Sequence, residues 1–142
     1  MKQPAPARGV HHLAIGVRDL PAVEAFYTQV LRLPVQRRWP RTDGAAGDRS
    51  VWLDLGGGAF LALERAESSA AGRAPAAAGE GYLMAALAIS PGERADWEAW
   101  LAAAGAPIVR RTPYTLYVED PEGNRVGLSH WPDAAGAPPS SP

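Results

Sequence analysis

The chain of 142 residues contains no cysteine, so it can form neither a disulfide framework nor a thiolate metal site. No continuous apolar run is long enough to cross a bilayer, and the first residues lack the apolar segment of a secretory signal. These absences favour a protein of a reducing compartment without a membrane span. We therefore expect a cytoplasmic protein.

Neither sign of charge is in excess, because 14 Lys and Arg face 15 Asp and Glu, for a formal net charge of -1. Interspersed charges give no attraction to a polyanion, so we expect neither nucleic acid nor a membrane surface as a partner. The local group Arg37, Arg38 and Arg41 is interpreted as a solvated edge strand. It is not interpreted as a phosphate site.

What the chain does contain is an internal repeat of hydrophobic patterns. Residues 10–17 alternate as a half-buried strand does, Asp19 is a predicted N-cap, and a helical stripe follows. In the second half, residues 82–90 predict a strand, and Ser90 to Glu93 form a capping box before a second helix. Both halves then continue into three short strands, so each half is predicted to be a βαβββ module. The further strands are predicted at residues 35–41, 50–55, 59–65, 107–111, 114–120 and 124–131.

The predicted fold class is α+β, with two tandem βαβββ modules in a single domain over residues 9–131. Module one covers residues 9–66 and module two covers residues 82–131. The stretch 67–81 between them carries almost no large apolar side chain, which predicts a flexible linker. A flexible N-terminus at residues 1–8 and a disordered tail at residues 132–142 are expected on the same ground.

Two motifs carry a resemblance to a known family: "HHLAIGVRDLPAVEAFYTQVLRLPV" at the front and "YTLYVEDPEGNRVGLS" at the back. Together with the repeat, they resemble the vicinal oxygen chelate superfamily. That group includes glyoxalase I, extradiol dioxygenases, fosfomycin-resistance enzymes and bleomycin-binding proteins. The resemblance implies that the two modules curl into one cupped mixed sheet. In catalytic members a divalent metal is held there by the first and last strands of each module.

The resemblance places the four metal-ligand positions on His12, Ala86, Gly127 and either Ala62 or, after a two-residue shift, Glu64. Alanine and glycine side chains cannot bind a metal, and such a site needs three or more ligands. We therefore expect no metal cofactor, and His12 is interpreted as a ligand-contacting or hydrogen-bonded histidine. The alternative is an enzyme, either with Ni, Zn, Fe or Mn held by His12 and Glu64, or without a metal and with Glu64 as the candidate catalytic base.

The other two histidines are expected to lie away from this site. His11 is one residue out of phase with His12 in the predicted strand, and His130 is three residues beyond Gly127. Because side chains alternate between the two faces of a strand, both are predicted to point to the opposite face.

Alternation along the strands also divides the side chains into a core face and a cup face. The core face is predicted to pack under the helices, which contribute Phe26, Tyr27, Val30, Trp97, Trp100 and Leu101; its strand members are Leu13, Ile15, Val17, Leu61, Leu63, Leu87, Ile89, Val126 and Leu128. The cup face is mostly small, which leaves the space that a small-molecule site needs. The candidate ligand-binding residues are His12, Trp39, Trp52, Phe60, Glu64, Met84, Tyr117, Arg125 and Ser129. For each of them, plain packing or an exposed charge is the competing interpretation.

The function implied is a metal-independent binder of a small organic or aromatic ligand, similar to the bleomycin-resistance proteins. Two alternatives stay open. One is a metal-dependent lyase, isomerase or dioxygenase with a non-standard site, and the other is a domain that keeps the fold as an interaction surface. By resemblance we expect a homodimer, whose modules pair either within one chain or between two.

Overall fold

The computed structural model describes residues 5–66 and 83–134, and within them the βαβββ pattern occurs twice. Each module places its helix after its first strand, and both modules have the predicted order of elements, so the α+β class is confirmed. Module one comprises β1 (His12–Val17), α1 (Leu20–Ala25) with a π-helical turn (Phe26–Val30), β2 (Val35–Pro40), β3 (Asp48–Gly56) and β4 (Ala59–Arg65). Module two comprises β5 (Ala85–Ala88), a 3-10 turn (Pro91–Glu93), α2 (Arg94–Ala103), β6 (Arg110–Arg111), β7 (Thr115–Glu119) and β8 (Arg125–Ser129).

Each module forms its own four-stranded mixed sheet, with the order β1-β4-β3-β2 in the first and β5-β8-β7-β6 in the second. The outer strand β1 runs parallel to β4, and β5 runs parallel to β8, while the remaining neighbours are antiparallel. The identical strand orders confirm the internal repeat. The predicted linker at 67–81 lies outside the described residues, as do residues 1–4 and 135–142 of the expected flexible ends.

Both helices begin where the sequence predicts. The backbone N–H of Ala22 donates to the Asp19 side chain at 3.1 Å, which satisfies one of the unpaired donors at the start of α1. In module two the N–H of Ser90 donates to Glu93 Oε2 at 3.0 Å, as a capping box requires. Gly105 then ends α2 with a φ of 69°, a conformation that glycine adopts without strain. No helix of the described residues is long and apolar enough to cross a membrane.

One hydrophobic core serves both modules. Side chains from α1 and α2 pack together with one face of each sheet in a single contiguous cluster. Its members include Val17, Leu53 and Leu63 of the first sheet, Leu116, Val126 and Leu128 of the second, and Leu20, Val23, Phe26, Tyr27 and Leu101 of the helical segments. The predicted core face is therefore confirmed. We call the opposite face of each sheet, which no helix covers, its open face.

Trp100 departs from the predicted core. Trp97 packs against the cluster and Leu101 is fully buried, but the Trp100 side chain is 40% exposed. It lies at the edge of the helical stripe that Trp97 and Leu101 define, so only part of the ring reaches the core. Its indole N–H instead donates to the Val30 carbonyl at 2.8 Å, and Arg32 lies over the ring.

The turn between β7 and β8, residues 120–124, fastens module two onto the first helix of module one. Asp120 is 4% exposed, and its carboxylate accepts from the Tyr27 hydroxyl at 3.1 Å. The same carboxylate accepts from the backbone N–H of Glu122 and of Asn124, and from the Asn124 amide. The Glu122 carboxylate in turn accepts from the N–H groups of Arg18 and Asp19 just before α1. We call this set of contacts the turn clamp.

Replacing Asp120 with alanine should destabilise the protein more than any exposed aspartate does. The change leaves the Tyr27 hydroxyl and two backbone donors without their acceptor in a buried place, which should cost about 3 kcal/mol of unfolding free energy. Urea denaturation of Asp120→Ala measures this, with the exposed Asp43→Ala as its control. Equal losses in the two variants would contradict the role of the clamp.

The pKa of the Tyr27 phenol gives the clamp a dependence on alkaline pH. Burial, followed by the negative charge of Asp120 and the hydrogen bond to it, raises this pKa well above its usual range. Above about pH 10 the unfolded chain therefore loses a proton that the folded protein keeps, so stability should fall by about 1.4 kcal/mol per pH unit from this group.

Tyr27→Phe should remove this contribution, so its unfolding free energy should fall less steeply than that of the wild type between pH 9.5 and 11 (roughly the range set by a tyrosine pKa of about 10). Urea titrations at several pH values compare the two slopes. Parallel slopes would show that the Tyr27 proton is not linked to folding.

Candidate ligand-binding site

A row of five rings crosses all four strands on the open face of the first sheet. It comprises Trp39 of β2, Trp52 of β3, Phe60 of β4, His12 of β1 and, just before β1, His11. Ring centroids lie 5.3 Å apart for Trp39 and Trp52, 4.3 Å for Trp52 and Phe60, and 4.8 Å for Phe60 and His12. We call this row the aromatic ladder. Four predicted candidates, His12, Trp39, Trp52 and Phe60, thus lie together.

Strand register explains the ladder. Trp52 pairs with Ala62 and Asp54 pairs with Phe60, so Trp52 and Phe60 are diagonal neighbours on one face, within reach of each other's large rings. The ring planes of Trp52 and Phe60 are 18° apart, and those of Phe60 and His12 are 4° apart. Each stacked pair contributes about 1 kcal/mol beyond the area it buries. The ladder is therefore a rigid wall.

The indole N–H groups of Trp39 and Trp52 are buried and have no acceptor within residues 5–66 and 83–134. A buried donor without a partner is costly, and such groups in native proteins call for an explanation. Both belong to the ladder. They make its outer half a place where an additional acceptor atom would be stabilising.

The arginines beside the ladder make two kinds of contact. Arg38 and Arg41 form ion pairs with nearby carboxylates at the sheet edge, as a solvated edge strand would. The guanidinium carbon of Arg37 instead lies 4.1 Å from the Trp39 ring centroid, and that of Arg49 lies 5.6 Å from it. These are cation–π contacts, which hold the outermost ring of the ladder in place.

The rest of this open face is a floor of small side chains. Ala14 and Gly16 of β1 are exposed, and a Cβ added at Gly16 would meet nothing within 4 Å. At the far end of the floor the Ser50 hydroxyl donates to Glu64 Oε1 at 2.7 Å. Wall, floor and carboxylate together leave room for a flat molecule and provide one fixed hydrogen-bond acceptor.

The strand register does not support a metal site shared by His12 and Glu64. His12 pairs across the sheet with Phe60, whereas Ala62 pairs with Ala14 and Glu64 pairs with Gly16. The residue opposite His12 is thus Phe60, just as Gly127 lies opposite Ala86 in module two. Four residues of strand separate the His12 and Glu64 positions by about 13 Å. Among the residues that the structure describes, no three His, Asp or Glu side chains could share an ion.

His11 lies on the open face, which corrects its predicted orientation. Its Nδ1 is 2.9 Å from His12 Nδ1, and its ring centroid is 5.8 Å from that of Phe60. His11 precedes the first residue of β1, so strand alternation does not govern its side chain. His130 does point away from the open face: it is buried, with Nε2 3.1 Å from an Arg94 nitrogen.

The second sheet presents the remaining candidates on its own open face. At the expected ligand positions Ala86 pairs with Gly127, and the Met84 sulfur would lie 3.5 Å from a Cβ added at Gly127. Met84 and Thr115 thus fill the space that a longer side chain at Gly127 would need. The Ser129 hydroxyl accepts from that of Thr115 at 2.9 Å.

Two further candidates lie on neighbouring rows of this face. Tyr117 pairs with Gly127 and has Arg110 over its ring, and Arg125 pairs with Glu119. The nine predicted candidates therefore fall into two groups on two open faces, because both sheets turn their other face towards the shared core. The structure does not bring them into one site within a single chain.

Three residues that contact the ladder or Glu64 are not among the candidates predicted from the sequence: Arg37, Arg49 and Ser50. Arg37 is two residues from Trp39, and Ser50 is two residues from Trp52. Because residues two apart on a strand share a face, this spacing could have identified both. Arg49 could not be found in this way, because an irregularity in the pairing of β2 with β3 turns it towards Trp39.

Comparison with protein families matches residues 9–128 to the Glyoxalase/Bleomycin resistance protein/Dioxygenase superfamily. Among curated proteins no relative matches the chain.

Several solved structures share the fold. A glyoxalase/dioxygenase from Nostoc punctiforme superposes with a TM-score of 0.72 at 21% identity, covering 94% of this chain and 100% of that one. A lactoylglutathione lyase from Agrobacterium tumefaciens has a TM-score of 0.64 at 22% identity, with coverage of 91% and 100%. A genomically encoded fosfomycin resistance protein from Listeria monocytogenes has a TM-score of 0.66 at 14% identity, with coverage of 88% and 92%. Identities this low establish the fold alone.

Proposed function

Because the chain belongs to the Glyoxalase/Bleomycin resistance protein/Dioxygenase superfamily, which confirms the resemblance, we propose that it binds small planar aromatic molecules without a metal ion. The observation that carries this proposal is the aromatic ladder beside a floor of small residues. Proteins that share a fold differ in their chemistry, so the residues of the open faces determine what this chain can bind.

The ladder supports an aromatic ligand through its shape. A flat ring that lies on Ala14 and Gly16 would have the edges of Phe60 and Trp52 along one side, where edge-to-face and offset contacts are favourable. Glu64, held by Ser50, would accept a hydrogen bond from a ligand hydroxyl or amine. Apolar walls with one or two placed polar groups are typical of small-molecule sites.

Metal independence is supported by the donor set. Phe60 lies opposite His12, and Ala86 lies opposite Gly127 in module two; none of these three residues can coordinate an ion through its side chain. His12 itself stacks its ring on Phe60. A cytoplasmic location stays a prediction.

We further propose that the protein is a homodimer in which β1 of one copy lies beside β5 of the other. Each sheet has two outer strands. The β2 edge carries arginines and irregular pairing, and β6 consists of two arginines, features that blunt an edge against association. The edges β1 and β5 contain no charged residue and are regularly paired on their inner side.

Such a dimer would complete the ligand site. In one chain the two open faces belong to separate sheets that share a core on their other side. Pairing β1 with the partner's β5 would join the open face of the first sheet to that of the partner's second sheet. The two groups of candidate residues would then line one cup, twice per dimer.

Trp52→Leu should weaken the binding of a neutral aromatic probe, 2-naphthylmethanol, about tenfold, since it removes the central stacking partner. Titration calorimetry in EDTA measures this, and EDTA should leave the wild-type affinity unchanged. Trp52→Phe, which keeps a ring, should bind nearly as well as the wild type.

The matched control is Trp100→Leu, which changes a 40% exposed tryptophan of α2 that belongs to neither open face and should not affect binding. A probe that fails to saturate the wild type, or that binds only after Ni, Zn, Fe or Mn is added, would refute the proposed function. Equal losses for the two leucine variants would show that the ladder is not the site.

The dimer should appear as twice the 15.0 kDa chain mass in light scattering coupled to gel filtration. Leu83, at the start of the β5 edge, is 57% exposed, and Leu83→Glu should place a charge in the proposed contact. The expected result is dissociation to monomer at micromolar concentration. Val109→Glu, which alters a 45% exposed residue beside the β6 edge, should stay dimeric. A monomeric wild type would contradict the proposal.

A further inference from the structure

Arg125 is a partly buried cation whose guanidinium makes no hydrogen bond within residues 5–66 and 83–134. Its side chain is 23% exposed, and its Nε is buried with no acceptor within the described residues. The nearest carboxylate oxygen, Glu119 Oε1, lies 3.7 Å from Nη2, which is beyond hydrogen-bond distance. No other acidic side chain of the described chain pairs with it. Its charge is therefore compensated only in part.

The position of Arg125 on β8 places its side chain on the open face of the second sheet. It pairs with Glu119 at one end of the open face of the second sheet, two residues before Gly127 on β8. On the next row of that face lies Tyr117, which pairs with Gly127. Arginine is the side chain best suited to bind a planar oxyanion, because its fork of N–H donors matches the two oxygens of a carboxylate.

We propose that Arg125 anchors the acidic group of the ligand, so that the preferred ligands are aromatic carboxylates. This inference rests on the proposed function, and it narrows the ligand from planar aromatics in general to those that carry a carboxylate. In the cup that the proposed dimer forms, the ring would lie against the aromatic ladder of one copy, and the carboxylate would complete the hydrogen bonding of Arg125 from the other copy. Glu119 then acts as a counter-ion in the empty site, at a distance that leaves the donors free.

Two probes of similar shape, naphthalene-2-carboxylate and 2-naphthylmethanol, separate the contribution of the carboxylate to binding from that of the ring. Calorimetry on the full-length protein should show the carboxylate binding roughly 10- to 100-fold more tightly, as a charge-assisted hydrogen bond in a partly buried site would give. Arg125→Gln should abolish this preference while leaving the affinity for 2-naphthylmethanol unchanged. Arg125→Lys, which keeps the charge but not the fork, should retain part of it.

Two further variants separate a ligand contact from a structural role. Arg111→Gln removes an exposed arginine that pairs with Glu98, and it should leave both affinities as in the wild type. Glu119→Gln removes the competing carboxylate, so it should strengthen binding of the acid and not that of the alcohol. If Arg125 served only as the ion-pair partner of Glu119, neither Arg125→Gln nor Glu119→Gln would change the preference for the acid over the alcohol.

The outcomes distinguish the two proposals. Equal affinities for the acid and the alcohol, unaffected by Arg125→Gln, would overturn the role of Arg125 and leave the aromatic binder standing. Absence of binding by both probes would overturn the proposed function and this inference with it. A preference for the acid that survives in Arg125→Gln would place the anchor elsewhere.

Discussion

The turn clamp at residues 120–124 is the constraint on which the rest of the structure depends. Within each sheet the strands pair with their own module, so pairing alone would leave the two modules as separate bodies. Asp120 and Glu122 connect the two modules. The Asp120 carboxylate accepts a hydrogen bond from the Tyr27 hydroxyl, and the Glu122 carboxylate accepts from the N–H groups of Arg18 and Asp19 just before α1. Because these acceptors are largely buried and multiply bonded, they fix the angle at which α1 meets the second sheet.

That angle decides which faces remain available for function. With α1 and α2 between them, both sheets place their branched aliphatic side chains in one core, and this burial provides most of the stability. Each open face must then be stabilised by its own contacts. The first sheet achieves this with stacked rings, and the second with Met84 and Thr115 packed over Gly127. A ligand enclosure is consistent with this arrangement only when two open faces meet.

The sequence predicted local features well, because they depend on a few neighbouring residues. Asp19 and the Ser90 capping box are chemical signals within one helical turn, and alternation assigned core and open faces correctly along β1, β4 and β8. The failures involve pairing between strands. Register sets Phe60 opposite His12, and no local pattern distinguishes this from a shift of two residues, which preserves the same face. The orientation of His11 was predicted wrongly because it precedes β1, where the period of two does not apply, and the burial of Trp100 was predicted wrongly because it lies at the edge of the helical stripe of α2.

The register also explains why the metal-ligand positions and the aromatic ladder exclude each other. A metal site at His12 would require its ring nitrogen to be free and its cross-strand neighbour to offer a second donor. Here the neighbour is Phe60, and the two rings stack with planes 4° apart, so His12 instead extends a wall that begins at Trp39. On the other sheet, the Cβ of a glutamate at position 127 would lie 3.1 Å from the Thr115 methyl group, which would have to move aside. Introducing one metal-ligating side chain at these positions would therefore disturb the packing on that open face without supplying the other ligands that an ion needs. The residues at these positions are therefore compatible with the binder of aromatic acids that we propose, and they supply no side chain that could ligate an ion except His12.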